Sequence, residues 1–171
     1  EHDLNANLRR KIANFCNVSP DAVVQSLDMP TIYEVPLSMQ EQGLDATILR
    51  KLDLPVGETP GLGPWRSFLE RRHKATEVVN IGLVGKYDLQ DAYKSILEAL
   101  SQAGTYNDHK VKCHFINSEK INETNVAEML AGMDGYVICP GFGQRGIEGK
   151  IIAARYCREN DRPTFGICLG M

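Results

Sequence analysis

No run in this chain approaches the roughly 20 consecutive apolar residues of a spanning helix. Its opening Glu1-His2-Asp3 is too polar for a secretory signal, so neither a membrane nor an exported protein is expected. A basic surplus is missing too. The 19 Lys and Arg stand against 22 Asp and Glu, a net charge of −3, which offers no footprint for nucleic acid or an anionic membrane. Cysteines number five, irregularly spaced and without a CxxC pair, as expected of reduced thiols in the cytoplasm and not of a disulfide framework. His2, His73, His109 and His114 share no helix face with Cys or acidic partners, so no metal site is expected. What remains is ordinary: 43% apolar and 24% charged residues, enough to bury a core.

The order of patterns divides the chain. Residues 1–54 read as small, mostly helical pieces. Asn7 to Val18 places Leu8, Ile12, Phe15 and Cys16 at helical spacing. Ser19-Pro20-Asp21 is a start signal for a short helix over 22–26. Thr31 to Val35 is rich in β-formers and stopped by Pro36, which predicts a brief strand. Helices follow over 37–42 and 45–54, broken at Gly43. This stretch has no self-contained core and is expected to be the tail of something larger. A Pro- and Gly-rich linker, DLPVGETPGLGP, leads to a short helix opened by Pro64. In it Trp65, Phe68 and Leu69 share a face, with Trp65 as a packing anchor, and residues 70–74 fray into charge. Residues 55–74 are thus an interdomain connection.

From residue 75 the alternation is regular. Strands are expected over 78–84, 111–116, 135–139 and 164–167, with helices over 91–103, 122–133 and 147–159. The helix over 91–103 should face inward with Ala92, Ile96, Leu97 and Leu100, with Asp88, Gln90 and Asp91 capping it. The fold class is α/β: a mostly parallel sheet with helices on both faces, flavodoxin-like, behind the helical tail. Ligands of such sheets bind beyond the C-terminal strand ends, where three loops gather: Gly85-Lys86-Tyr87, Pro140 to Gly146, and the turn at Cys168.

That last turn organises the rest. Gly166-Ile167-Cys168-Leu169-Gly170 is a thiol version of the nucleophile elbow, a tight strand-to-helix bend. A Cβ at either flanking glycine would crowd it. A helix beginning just after Cys168 would favour a thiolate there. The loop Cys139-Pro140-Gly141-Phe142-Gly143 ends the neighbouring strand, and the N–H groups of Gly141 and Leu169 are candidate oxyanion donors. A thiol without a base stays largely protonated, and no histidine follows Cys168, so the base is expected outside this sequence. Gly85-Lys86-Tyr87 lacks the spacing of a phosphate loop and reads as a turn shaping the site. Cys16, Cys113 and Cys157 read as packing thiols.

Six stretches, in order, resemble the CTP synthase family: KIANFCNV from Lys11, IYEVP from Ile32, VGKY from Val84, DAYKS from Asp91, GFGQRGIEGK from Gly141 and GICLGM from Gly166. The resemblance implies a fragment. Residues 1–54 would end an ATP-dependent amidoligase domain, and 75–171 would form the first half of a class I glutaminase domain. It further implies that glutamine is hydrolysed at Cys168 through a thioester and that ammonia passes to UTP activated by ATP with Mg2+, giving CTP. Glutamine would be bound by Gly141, Leu169, Gly170 and Met171, and the pyrimidine nucleotide by Lys11 and Phe15. Leu27, Asp28 and Met29 fall at the adenine-contacting stretch, and Arg145 and Glu148 in the loop responsive to the activator GTP. CTP would act as product inhibitor, and the enzyme would be a cytoplasmic homotetramer. One family glycine is Pro140 here, which leaves Gly141 as the donor at that end because proline has no N–H. The segment between Tyr87 and Asp91 is one residue short of the family pattern. The catalytic His and Glu, the phosphate loop and the magnesium ligands lie outside the 171 residues, so this chain alone should be inactive. Two other readings stay open: another class I amidotransferase, or a non-catalytic flavodoxin-like module with a structural Cys.

Overall fold

The computed structural model describes residues 3–58, 61–87 and 90–171. By internal contacts the chain forms two compact units, Glu1–Leu69 and Glu70–Met171.

In the first unit, α1 (Ala6–Cys16) starts at Asn5, whose side chain accepts from the Leu8 N–H, and stops at Asn17 in the left-handed region. Its apolar stripe is at the surface: Leu8, Ile12, Phe15 and Cys16 are exposed and only Ala13 is buried. Cys16 is therefore not a packing thiol within this chain. Two expectations fail next. The helix over 22–26 is only a 3₁₀ turn, Pro20–Ala22. The Gln42 side chain grips the Gln25 backbone at both N–H and C=O, at 2.8 and 2.7 Å, which holds that stretch extended. The strand over 31–35 is a 3₁₀ turn at Ile32–Glu34 running into α2 (Val35–Glu41). Pro36 opens that helix and stops no strand, since the first turn has no use for its missing N–H. Gly43, at φ 73°, separates α2 from α3 (Leu44–Lys51). The stretch 1–54 draws its core from beyond itself, in keeping with the expectation that it has no self-contained one: Tyr33 packs edge-on against Phe68, ring centroids 5.4 Å apart, beside Leu69 and Trp65. The Trp65 indole N–H donates to the Tyr33 carbonyl at 2.7 Å, so Trp65 is the anchor expected.

Helix α4 (Gly63–Lys74) does not fray at its charged end. Arg71 forks onto Asp108 at 2.8 and 2.9 Å, and Arg72 reaches Ser101 at 2.7 Å. The Arg71 guanidinium holds the Asp108 carboxyl below its ordinary range.

The second unit is a four-stranded sheet, all parallel, built from β1 (Glu77–Gly85), β2 (His109–Asn117), β3 (Gly135–Ile138) and β4 (Thr164–Gly166). The order is β2-β1-β3-β4. Helix α5 (Lys94–Tyr106) connects β1 to β2, α6 (Val126–Met129) leads to β3, and α7 (Ile147–Glu159) leads to β4. The chain steps one way from β1 to β2 and then back across to β3 and β4. With crossovers of a single hand, that reversal puts α5 on one face and α6 and α7 on the other. Alternate strand residues sort accordingly. Leu83, Val137 and Cys139 pack with Ile96, Leu97 and Leu100 of α5, whereas Val84, Tyr136 and Ile138 pack with Val126, Ala153 and Cys157.

Two helices differ from expectation. The helix over 91–103 begins as a 3₁₀ turn, Gln90–Tyr93, and its inward residue is the buried Tyr93, while Ala92 is exposed. Tyr93 is the N-cap of α5 and makes no side-chain capping bond, so Asp91 is not the cap; Asp88 lies outside the described residues. The helix over 122–133 shrinks to α6, because the Asn122 side-chain oxygen accepts from the Thr124 and Asn125 N–H groups and holds a turn.

Candidate active site

Parallel pairing puts Val84, Ile138 and Gly166 in one row across β1, β3 and β4. Two residues past each lie Lys86, Pro140 and Cys168. The three loops singled out in the sequence therefore meet at one sheet edge. Because strand order reverses between β1 and β3, this is also the topological switch point, where such sheets form a crevice.

Cys168 is exposed and sits at φ 55°, a left-handed conformation for a residue with a side chain. Such strain is characteristic of a nucleophile elbow. The flanking glycines act as expected: a Cβ on Gly166 would strike the Gly170 carbonyl, and one on Gly170 would strike the Ile138 carbonyl. The turn is thus folded onto itself and seated on β3, with the Ile167 N–H donating to Ile138 at 3.1 Å. Cys168–Gly170 forms a single 3₁₀ turn, the Met171 N–H bonding the Cys168 carbonyl at 3.1 Å. A longer helix after the thiol is not among the described elements.

The adjoining loop needs its glycines. Gly141 lies at φ 148°, and Gly143 and Gly146 at 77° and 74°. Leu169, Gly170 and Met171 line a cavity of 110 Å³ with Ile138, Lys150 and Ile151. Gly141 is not in that lining; its neighbours are the Tyr87 ring and two lysines. A Cβ built on it would meet Lys86 Cε at 3.0 Å and Lys150 Nζ at 3.8 Å.

Those lysines are the residues that sequence reasoning passed over. Lys86 and Lys150 are buried, 5% and 4% exposed. Lys150 Nζ donates to the Cys139 carbonyl at 2.7 Å and to that of Pro140 at 3.4 Å, and Lys86 Nζ donates to the Phe142 carbonyl. Burial pulls the Lys150 ammonium below its ordinary range, partly offset by the nearby thiols. A signal existed: Lys150 falls on the α7 stripe with the buried Ala153 and Cys157. Burial pushes the Cys139 thiol up to about 12, so it is inert near neutral pH. Cys113 and Cys157 are also raised by burial, as befits packing thiols.

Arg145 pairs with Glu119 at 2.5 Å and lies over the Tyr87 ring, 5.6 Å from its centroid. Glu148 is exposed in the first turn of α7. In the first unit, Lys11 and Phe15 lie one turn apart on α1, both exposed. Leu27, Asp28 and Met29 follow in irregular chain; Leu27 lines a 370 Å³ cavity with Arg9, Gln25 and Gln42. Among the described residues, no group of three His, Cys, Asp or Glu side chains could hold a metal, and no helix is long and apolar enough to cross a membrane.

Residues 88–171 match the family model for class-I glutamine amidotransferases. Part of the chain is similar in structure to the glutaminase domain of Trypanosoma brucei CTPS with bound acivicin. That match has a TM-score of 0.50 and 35% identity, over 54% of this chain and 37% of the other. The sheet and its elbow are those of a glutamine amidotransferase. Residues 1–54 match a second model, the CTP synthase N-terminus. The CTP synthases of Bacteroides thetaiotaomicron and Porphyromonas gingivalis are 70% and 59% identical over the whole chain. The chain belongs to the CTP synthase family, and it spans about a third, 32%, of the length of those relatives.

Proposed function

We propose that this chain supplies the nucleophile half of a glutaminase, joined to the tail of an amidoligase, in an enzyme that makes CTP from UTP, ATP and glutamine. The observation that carries the reading is Cys168 held at φ 55° between two glycines that admit no side chain, level with the Gly141 loop. The Cys168 thiolate attacks the glutamine side-chain carbonyl. The oxyanion that forms is met by the N–H groups of Gly141 and Leu169, while Gly170 and Met171 complete the glutamine site. Ammonia leaves, a glutamyl thioester remains, and water releases glutamate. A base from elsewhere in the longer protein activates the thiol, so the 171-residue chain is inactive alone. The ammonia is consumed at a UTP whose 4-oxygen ATP has activated. Lys11 and Phe15 contact the pyrimidine nucleotide, and Leu27, Asp28 and Met29 the adenine. Mg2+ is placed outside this chain. Arg145 and Glu148 belong to the loop through which GTP activates, CTP inhibits as product, and the enzyme works as a cytoplasmic tetramer. The match of residues 1–54 favours this reading over amidotransferases of other substrates.

In the full-length protein, Cys168→Ala should abolish glutamine-dependent CTP formation and leave ammonia-dependent formation intact, because free ammonia bypasses the thiol. Loss of both in a folded variant, or of neither, overturns the assignment.

A further inference from the structure

Phe142 lies between two glycines with positive φ, Gly141 at 148° and Gly143 at 77°. Its own side chain is 89% exposed and packs on little. Nothing intrinsic to such a segment fixes how its peptide planes face, since glycine crosses between backbone basins at little cost. The segment is nevertheless pinned, from the side opposite to solvent, by two buried ammonium groups. Lys86 Nζ takes the Phe142 carbonyl, and Lys150 Nζ takes those of Cys139 and Pro140. In a trans peptide the carbonyl and the following N–H point opposite ways. Holding the Pro140 carbonyl inward therefore turns the Gly141 N–H outward, and holding the Phe142 carbonyl inward does the same for Gly143. Burying two cations beside one loop is costly unless each is well bonded; here the bonds go to carbonyls of the loop itself.

We infer that Lys150, through the Pro140 carbonyl that sets the Gly141 N–H, and Lys86, through the Phe142 carbonyl that sets the Gly143 N–H, are positioning residues that lock these peptides with their N–H groups facing the space above Cys168. The inference rests on the glutaminase reading. Each lysine acts through the peptide plane whose carbonyl it holds. When the thiolate adds to a carbonyl carbon, the new S–C bond displaces the π pair onto oxygen, and a preset donor there needs no reorganisation. Without the lock the loop samples flipped peptides, and the donor is absent for part of the time.

The test uses the full-length protein and two probes of Cys168. Glutamate γ-semialdehyde adds the thiol to give a tetrahedral thiohemiacetal whose oxygen needs the donors. Iodoacetamide alkylates the sulfur by displacing iodide and creates no oxyanion. Lys86→Met should lower kcat for glutamine hydrolysis by about tenfold to a hundredfold, with KM within about twofold. It should weaken the aldehyde by the same factor and leave the alkylation rate at Cys168 unchanged. Lys150→Met, which frees the Pro140 carbonyl and with it the Gly141 N–H, should give a loss at least as large and of the same pattern, and Lys86→Arg, which keeps a cationic donor for the Phe142 carbonyl, should recover most of the activity. Should Lys86→Met not fold by cooperative thermal unfolding, Lys150→Met and Lys86→Arg carry the same comparison. Variants that bind the aldehyde as wild type does, or that lose aldehyde binding and alkylation together, overturn the positioning role. Failure of the wild type itself to form the adduct would overturn the glutaminase reading instead.

Discussion

At Cys168 the backbone is held against its own preference. A residue with a Cβ in the left-handed region costs about 1–2 kcal/mol, and the turn supplies the compensation through the Ile167 and Met171 hydrogen bonds. Removing the side chain entirely should relieve that cost. Glycine gives back about 0.4–1 kcal/mol through the added freedom of the unfolded chain, so a modest net gain survives. Cys168→Gly should therefore be more stable than Cys168→Ala by about 0.5–1 kcal/mol, though both are inactive with glutamine. Matched denaturant titrations of the two variants check this; equal stabilities would mean that the turn carries no strain. Cys139, a few residues from the same site in space, shows the opposite economy: wholly buried, it keeps its proton up to about 12 and does no chemistry.

Among the elements, α7 is the one that matched its sequence expectation at both ends, Ile147–Glu159. Its hydrophobic period is clear, its start is set by Gly146 in the left-handed region, and at its end the Asn160 side chain donates to the Tyr156 carbonyl, which closes the last turn. Where expectation failed, a local hydrogen bond or a tertiary grip outweighed propensity. Asn122 holds a turn where periodicity suggests helix, and Gln42 holds residue 25 extended. Pattern reasoning sees spacing but not which polar side chain will reach which backbone. The same limit hid Lys86, because a Lys in a short turn after a strand looks solvated until the tertiary partner is known, whereas the place of Lys150 on the apolar stripe of α7 was there to be read. The elbow was legible because steric need for small residues is written directly as Gly-x-Cys-x-Gly. Helix α7 also offers a contest of magnitudes. A Gly→Ala change inside a helix ordinarily stabilises by about 0.5–1 kcal/mol. A Cβ on Gly149, however, would run into the Ser118 carbonyl, with the Ser118 carbonyl carbon at 2.8 Å. Overpacking of that kind costs about 1–3 kcal/mol, so Gly149→Ala should destabilise, read as a lowered thermal midpoint. An unchanged or raised midpoint would show that α7 and the Ser118 turn can separate at no cost.

For the molecule as a whole, the sheet is unevenly covered. Strand β4 lies at one edge of the order, and Phe165 on it is 66% exposed, as Met171 beyond it is 95% exposed. An unpaired edge with apolar side chains is a template for association. The 171-residue chain on its own should self-associate at tens of micromolar, and Phe165→Lys should shift it toward monomer in size-exclusion chromatography with light scattering. A wild-type chain that stays monomeric at that concentration would mean the edge is protected some other way. The parallel α/β plan was readable from alternation alone, whereas the exposed apolar stripe of α1 was not, because periodicity reports a sticky face and never what covers it.

Gly170 rests on the last carbonyl of β3, which makes the height of the sulfur a dimension set by the neighbouring strand and not by its own. A protein engineer grafting this five-residue bend onto another scaffold would find the motif insufficient. The graft must bring along an adjacent strand that ends at the same level, or the thiol will sit too low or too high for any substrate to reach.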